Sequence, residues 1–89
     1  FGDKIMVNST KSMTGHMIGA TGAIEVIFTT LMQEKSFISK SLNVDNLDPA
    51  CDGVDIVREL RENVAIPHAL SNSFAFGGSN ACLVLSNCR

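Results

Sequence analysis

The run Met17-Ile-Gly-Ala-Thr-Gly-Ala-Ile-Glu-Val-Ile-Phe-Thr-Thr-Leu-Met-Gln33 constrains this chain more than any other. Read at helical period, its apolar residues wrap nearly the whole circumference instead of forming one stripe. That is the pattern of a helix packed on all sides. Left on the surface of a small domain, such a helix would expose too much apolar area. Gly19, Ala20, Gly22 and Ala23 are small. A glycine inside a helix costs about 1 kcal/mol relative to alanine, so two of them point to close approach by another backbone. Glu25 is the only charged side chain in the run. A carboxylate there either reaches water or has a partner, because burying it alone is expensive. The paired reading sets it against Lys11, and the pattern alone weighs the two readings equally.

The rest of the composition agrees with a packed interior. The chain has 89 residues, of which 45% are hydrophobic and 18% charged, with a mean hydropathy of +0.20. That length allows at most one small domain, and a small independent domain carries more charge. The chain therefore reads as a piece of something larger, residues 1–89 forming part of a domain and not a whole one. With a net charge of −2, no basic run and no tryptophan or tyrosine, nothing points to nucleic acid. Glu25 interrupts the one run that approaches membrane-spanning length, and no signal-peptide pattern is visible, so no membrane is implied. Cys51, Cys82 and Cys88 fit neither a zinc nor a CxxC spacing and read as reduced thiols of a cytosolic protein. No metal and no cofactor are expected.

In chain order, Ile5 to Thr10 reads as a strand, and Thr14 as the N-cap of the helix from Met17 to Gln33. Lys11 and His16 would then stand at a strand-to-helix junction, where unpaired N–H groups and the helix dipole favour negative charge. A histidine in that place is, by pattern alone, more often structural than catalytic. Phe37 to Asn43 reads as a short strand, Asp45 to Pro49 as a turn and the segment to Gly53 as an exposed loop holding Cys51. Val54 to Val57 reads as a short edge strand and Arg58 to Asn63 as a solvated loop. Finally, Gly77-Gly78 between His68–Phe74 and Ala81–Leu85 is a hairpin signal. Both strands are nearly all apolar or small and read as central and buried, with Asn72 and Asn80 as hydrogen-bond network formers and Cys82 in the core. His68 reads as a partly exposed polar residue without chemistry.

Two stretches resemble one family. Lys11-Ser-Met-Thr-Gly-His16, followed by Gly19-Ala20, resembles the Lys-Ser/Ala-x-x-Gly-His-x-x-Gly-Ala segment of the β-ketoacyl–acyl-carrier-protein synthases. Asn72-Ser-Phe-Ala-Phe-Gly-Gly-Ser-Asn80-Ala81 resembles their Asn-Ser-Phe-Gly-Phe-Gly-Gly-Thr-Asn segment. Order and separation also fit, and the intervening stretch is closer to synthase I than to synthase II. The resemblance implies an α/β, thiolase-like fold: a mixed sheet of about four to five strands on a buried helix, the C-terminal part of the second half of a longer protein.

It also implies roles. His16 matches the histidine that polarises the malonyl thioester carbonyl and stabilises the enolate formed as carbon dioxide leaves. Lys11 matches the lysine that supports this histidine, and Glu25 a buried glutamate of the same network. Phe76 matches the gating phenylalanine whose N–H joins the oxyanion hole. Thr14, Gly77, Gly78 and Asn80 fall in the substrate-facing segments, Asn80 holding the glycine-rich loop. Ala75 stands where the family usually has glycine, which would strain or stiffen the loop if that position needs positive φ. Ser79 replaces threonine and keeps the hydroxyl. The family's nucleophilic cysteine and second histidine have no counterpart in these residues, so the chain alone should be inactive. The implied activity is decarboxylative condensation of malonyl-acyl carrier protein with an acyl-enzyme thioester in fatty acid elongation. The implied partners are acyl carrier protein, the remainder of the synthase chain and a second subunit in a homodimer. The implied location is the cytoplasm, or an organellar matrix in a eukaryote. The competing reading is a non-catalytic thiolase-like partner subunit or chain-length factor, in which glutamine or glutamate replaces the upstream cysteine.

Overall fold

A computed structural model describes residues 5–87. Cys88 lies outside them. In chain order the elements are β1 (Met6–Val7), α1 (Lys11–Thr14), a 3₁₀ turn (Ile18–Ala20), α2 (Thr21–Lys35) and β2 (Phe37–Ile38). A second 3₁₀ turn (Pro49–Cys51), β3 (Asp55–Ile56), β4 (Arg61–Glu62), β5 (His68–Phe74) and β6 (Asn80–Ser86) follow. The architecture is mixed α/β. The single sheet of four to five strands is corrected, however: among the described residues the strands form three separate pairs. β1 runs parallel to β3, β2 antiparallel to β4, and β5 antiparallel to β6. β4 falls inside the segment read as a solvated loop. β1, β2 and β3 fall within the stretches read as strands, each shorter than its apolar pattern, whereas the charged β4 has no apolar pattern and depends on its partner β2.

The long helix begins later than its apolar pattern does. The polypeptide from Met17 to Ala20 makes a 3₁₀ turn, and α2 ends at Lys35, where Ser36 takes the left-handed conformation (φ 58°) and donates its N–H to the Met32 carbonyl. Thr14 is not a helix N-cap. It closes the single turn of α1 and donates its hydroxyl to the Thr10 carbonyl at 3.1 Å. The helix whose dipole the junction argument invokes is α2: His16, in contact with its first residue Thr21, stands at its N-terminal end, whereas Lys11 opens the separate one-turn helix α1.

The core sits at the C-terminal end of α2. Met32, Ile38 and the fully buried Val57 form it, with Phe28, Phe37, Val64 and Ile66 packed around them. Gln33 is buried beside this core and ties the helix to the hairpin. Its side-chain amide donates to the carbonyls of Ile66 (3.3 Å) and Leu85 (3.0 Å). At the other end of α2, a Cβ on Gly22 would lie 3.3 Å from Ser73 Oγ of β5. The small residue is therefore used for close approach, by a side chain and not by a backbone. Gly19 has nothing within 4 Å of such a Cβ.

The hairpin forms as the Gly-Gly signal predicts, with His68 opposite Ser86 and Phe74 opposite Asn80. Its burial does not follow the prediction. Ala69, Ser71 and Ser73 are half-buried on the side of α2, whereas Leu70, Asn72 and Phe74 are exposed, and so are their cross-strand partners Val84, Cys82 and Asn80. Cys82, read as a core residue, is exposed among the described residues. Near-continuous apolar composition told of two faces to be covered, and the described residues cover only part of one: on the α2 side of β6, Leu85 is half-buried while Ala81 and Leu83 are exposed. Helix α2 shows the same half-coverage: Thr21, Met32 and Gln33 are buried, while Ile27 and Leu31 are exposed. No helix of the described residues is long and apolar enough to cross a membrane.

Candidate active site

The Lys11–His16 segment is held by polar contacts from a distant loop. Asn8 donates its side-chain amide to the Ser39 carbonyl at 2.9 Å, Ser9 N–H donates to Ser41 Oγ at 3.0 Å, and Leu42 N–H donates to Ser12 Oγ at 2.9 Å. These stitches fix α1 against the stretch after β2. Gly15 then reverses the chain. Its φ of 80° and ψ of 170° belong to a region that only glycine enters without strain, while its N–H caps α1 on the Lys11 carbonyl at 2.8 Å.

His16 follows that reversal. Its Nδ1 lies 2.9 Å from Thr21 Oγ1, and the Ile18 backbone N–H donates to the same nitrogen at 3.1 Å. A backbone N–H can only donate, so Nδ1 is an acceptor and carries no proton. The ring proton of the neutral imidazole is therefore on Nε2, which has no hydrogen-bond partner among the described residues. Ile18 takes φ 52° to make this contact, an outlying conformation for a β-branched residue.

The ion pair is present. Lys11 Nζ lies 2.6 Å from Glu25 Oε2, with the glutamate side chain 16% and the lysine side chain 39% exposed. Of the two readings of Glu25, the structure takes the paired one. Thr21 and Glu25 are one helical turn apart and so share a face of α2. That face carries two contacts side by side, Thr21 to His16 and Glu25 to Lys11.

The hairpin loop is built differently. Gly78 N–H donates to the Ala75 carbonyl at 3.2 Å, and Ala75 N–H donates to the Ser79 carbonyl at 2.7 Å. Gly77 and Gly78 both have φ 86°, and the left-handed residue at the third position of the Ala75–Gly78 turn is what a type II turn needs. Ala75 is not among the residues of positive φ, so alanine there brings no left-handed strain. Phe76 stands at the tip, 98% exposed. Asn80 is the exposed first residue of β6, and the loop is closed by backbone hydrogen bonds, not by the Asn72 and Asn80 side chains. Because Gly22 of α2 meets Ser73, three residues before Phe76, the loop hangs from the same end of α2 that holds His16.

Sequence reasoning missed Thr21, Ile18 and Gln33. The signal for Thr21 and Gln33 was polarity within an otherwise apolar helix, the same signal that singled out Glu25. His68 is exposed and its Nδ1 meets Ser86 Oγ at 3.0 Å across the hairpin. No group of three metal-ligating side chains forms among the described residues.

With this geometry in hand, comparisons with known proteins point one way. Residues 2–45 match the family model described as β-ketoacyl synthase, C-terminal domain. The chain is 53% identical to 3-oxoacyl-[acyl-carrier-protein] synthase 1 of Haemophilus influenzae, over 94% of this chain and 21% of that protein. It is 45% identical to synthase 1 of Escherichia coli K12, over 96% of this chain and 21% of the relative. It is 49% identical to synthase 2 of Staphylococcus aureus, over 90% of this chain and 20% of the relative. The chain thus spans about a fifth of the length of the curated relatives it matches. A crystal structure of a β-ketoacyl synthase from Burkholderia phymatum superimposes with a TM-score of 0.89 at 37% identity, covering 96% of this chain and 21% of that one. By sequence and by fold the chain belongs to the β-ketoacyl synthase family, in the region of its C-terminal domain.

Proposed function

We propose that the natural polypeptide carrying these residues condenses malonyl-acyl carrier protein with an enzyme-bound acyl thioester, and that this segment supplies the decarboxylation half of the site. The observation that carries the reading is the state of His16: with Nδ1 occupied by the Ile18 N–H, the imidazole has one proton to offer, on Nε2.

In the proposed step the bond between the malonyl α-carbon and its carboxylate breaks, and carbon dioxide leaves. The electron pair passes into the thioester carbonyl, making an enolate. Nε2–H of His16 donates to that oxygen, a fixed donor aimed at developing charge. The enolate carbon then attacks the acyl thioester, and the thiolate that held the acyl group is released. Lys11 and Glu25 hold the shared face of α2, so the cation beside the site stays compensated. Phe76 is the gate, and its backbone N–H, free among the described residues, joins the oxyanion hole for the acyl thioester. Gly77, Gly78 and Asn80 shape that loop, and Thr14 lies on the approach to His16. The acyl-accepting cysteine belongs to a part of the protein other than residues 1–89, and the whole works as a homodimer in the cytoplasm. The isolated segment is inactive.

The test is direct. The full polypeptide, given an acyl-loaded and a malonyl-loaded acyl carrier protein, should release carbon dioxide and yield a β-ketoacyl product two carbons longer. Absence of product from a folded protein whose acyl-enzyme forms normally would contradict the reading.

A further inference from the structure

Three threonines lie in α2, and they behave differently. Thr29 and Thr30 donate their hydroxyls back to the carbonyls of Glu25 (2.8 Å) and Val26 (2.9 Å), four residues earlier. That is the ordinary habit of threonine inside a helix. Thr21 is 4% exposed, opens the helix, and caps nothing: α2 starts from Ala20 with no side-chain cap. Its hydroxyl instead leaves the helix and meets His16 Nδ1 at 2.9 Å. A buried hydroxyl without a partner is costly, and this contact is the hydrogen bond the structure gives it.

The Ile18 N–H has already made Nδ1 an acceptor, so the Thr21 hydroxyl must be the donor. Two donors therefore share the one lone pair of that ring nitrogen. One donor fixes which nitrogen is protonated. Two also fix the ring about its last torsion, because a half-turn would exchange Nδ1 for a carbon. It would strand the Thr21 hydroxyl in a buried position and leave the Ile18 N–H unpaired.

We propose that Thr21 is a positioning residue for the reaction assigned to His16. It holds the imidazole in a single ring orientation, and so keeps Nδ1 on the Ile18 N–H that sets the tautomer, with Nε2–H aimed at the developing enolate oxygen. The activity part of this claim rests on the proposed function; the ring-holding part does not.

The experiment uses the full natural polypeptide and the variants Thr21→Val, which keeps the shape and removes the hydroxyl, and Thr21→Ser, which keeps the hydroxyl. Nitrogen NMR shifts of labelled histidine report the tautomer of His16, and labelled carbon dioxide release reports decarboxylation. Thr21→Val should blur the His16 signature toward mixed states and slow decarboxylation by about tenfold to a hundredfold, the scale of a small misplacement of a reacting group. The KM for the malonyl carrier should change little, and Thr21→Ser should restore both readouts. If Thr21→Val folds poorly, Thr21→Ala is read in the same way. A parental nitrogen signature in the valine variant overturns the proposal, and so does a changed signature with parental carbon dioxide release. If His16→Ala itself leaves carbon dioxide release intact, the function reading fails, and the nitrogen signature alone then decides whether Thr21 holds the ring.

Discussion

The two ends of the candidate site are fastened in opposite ways. The His16 end is held by side chains: Asn8, Ser12 and Ser41 stitch its approach, Thr21 grips the ring, and Lys11 pairs with Glu25. The Phe76 end is held by two backbone hydrogen bonds across a glycine turn, and its aromatic ring is almost wholly exposed. A group that must stabilise charge needs its donor in place beforehand, whereas a gate must be able to move. The difference says that side-chain substitutions should hurt at the first end through geometry. At the second they should act through the freedom of the loop, with little loss of stability.

The largest effect is expected at Gly15. With φ 80° and ψ 170°, alanine there should cost about 1–3 kcal/mol and displace His16. Thermal unfolding and carbon dioxide release should fall together. Phe76→Ala is the contrast: it should leave the unfolding temperature unchanged while altering elongation. Equal stability losses at both positions would break the comparison.

Gln33→Leu comes next. It removes the donor to the Ile66 and Leu85 carbonyls, and should cost about 1–3 kcal/mol, measured by chemical unfolding. Hydrogen exchange should quicken in β6 and leave the His16 segment protected. Faster exchange at both ends would show that they are one unit.

How much of this could be read beforehand depended on where each residue's partner lay. The hairpin was legible because two strand-like runs about a Gly-Gly pair are a local signal, and the Lys11–Glu25 pair was half legible, because a lone charge in an apolar helix needs water or a counter-ion and the pattern does not choose between them. β1, β2 and β3 were legible as strands, but β4 and the pairings were not, since β1 meets β3 and β2 meets β4 only after long excursions of the chain. The partners of Gln33 were invisible for the same reason: its acceptors lie 33 and 52 residues away. Thr21 was missed although its partner is five residues off, because the 3₁₀ turn that brings His16 back over it broke the helical count. For the exposed faces of α2 and β6, composition says that a face is apolar without saying what covers it, and nothing among the described residues does.

A smaller effect sharpens the charge pairing. Because Lys11 is over a third exposed, the coupling energy of Lys11 and Glu25 in a double-mutant cycle of Lys11→Ala and Glu25→Gln should be about 0.5–1 kcal/mol. Strict additivity would show that the 2.6 Å contact carries no energy.

The smallest effect lies away from the site. Arg61 donates two hydrogen bonds to Asp55, at 2.6 and 2.7 Å, and these, with the guanidinium charge, hold the Asp55 carboxyl below its usual value against an opposing contribution from burial. Its folded pKa is thus lowered. The stability it contributes is present above the ordinary carboxylate range and is lost as pH falls through the depressed value. Asp55→Asn should slightly flatten the acid limb of the stability profile and leave decarboxylation untouched; an unchanged acid limb would show that the pair adds nothing.

The central claim is that His16 serves decarboxylation and not acyl transfer. It is tested by separating the two half-reactions in the full polypeptide, with labelled carbon dioxide release for one and labelled acyl-enzyme for the other. His16→Ala should lower carbon dioxide release by about 10²–10³-fold, the cost of removing one donor to a developing oxyanion. Acyl-enzyme formation should survive to a far larger extent. Carbon dioxide release at the parental rate in that variant would contradict the account and return His16 to a structural role.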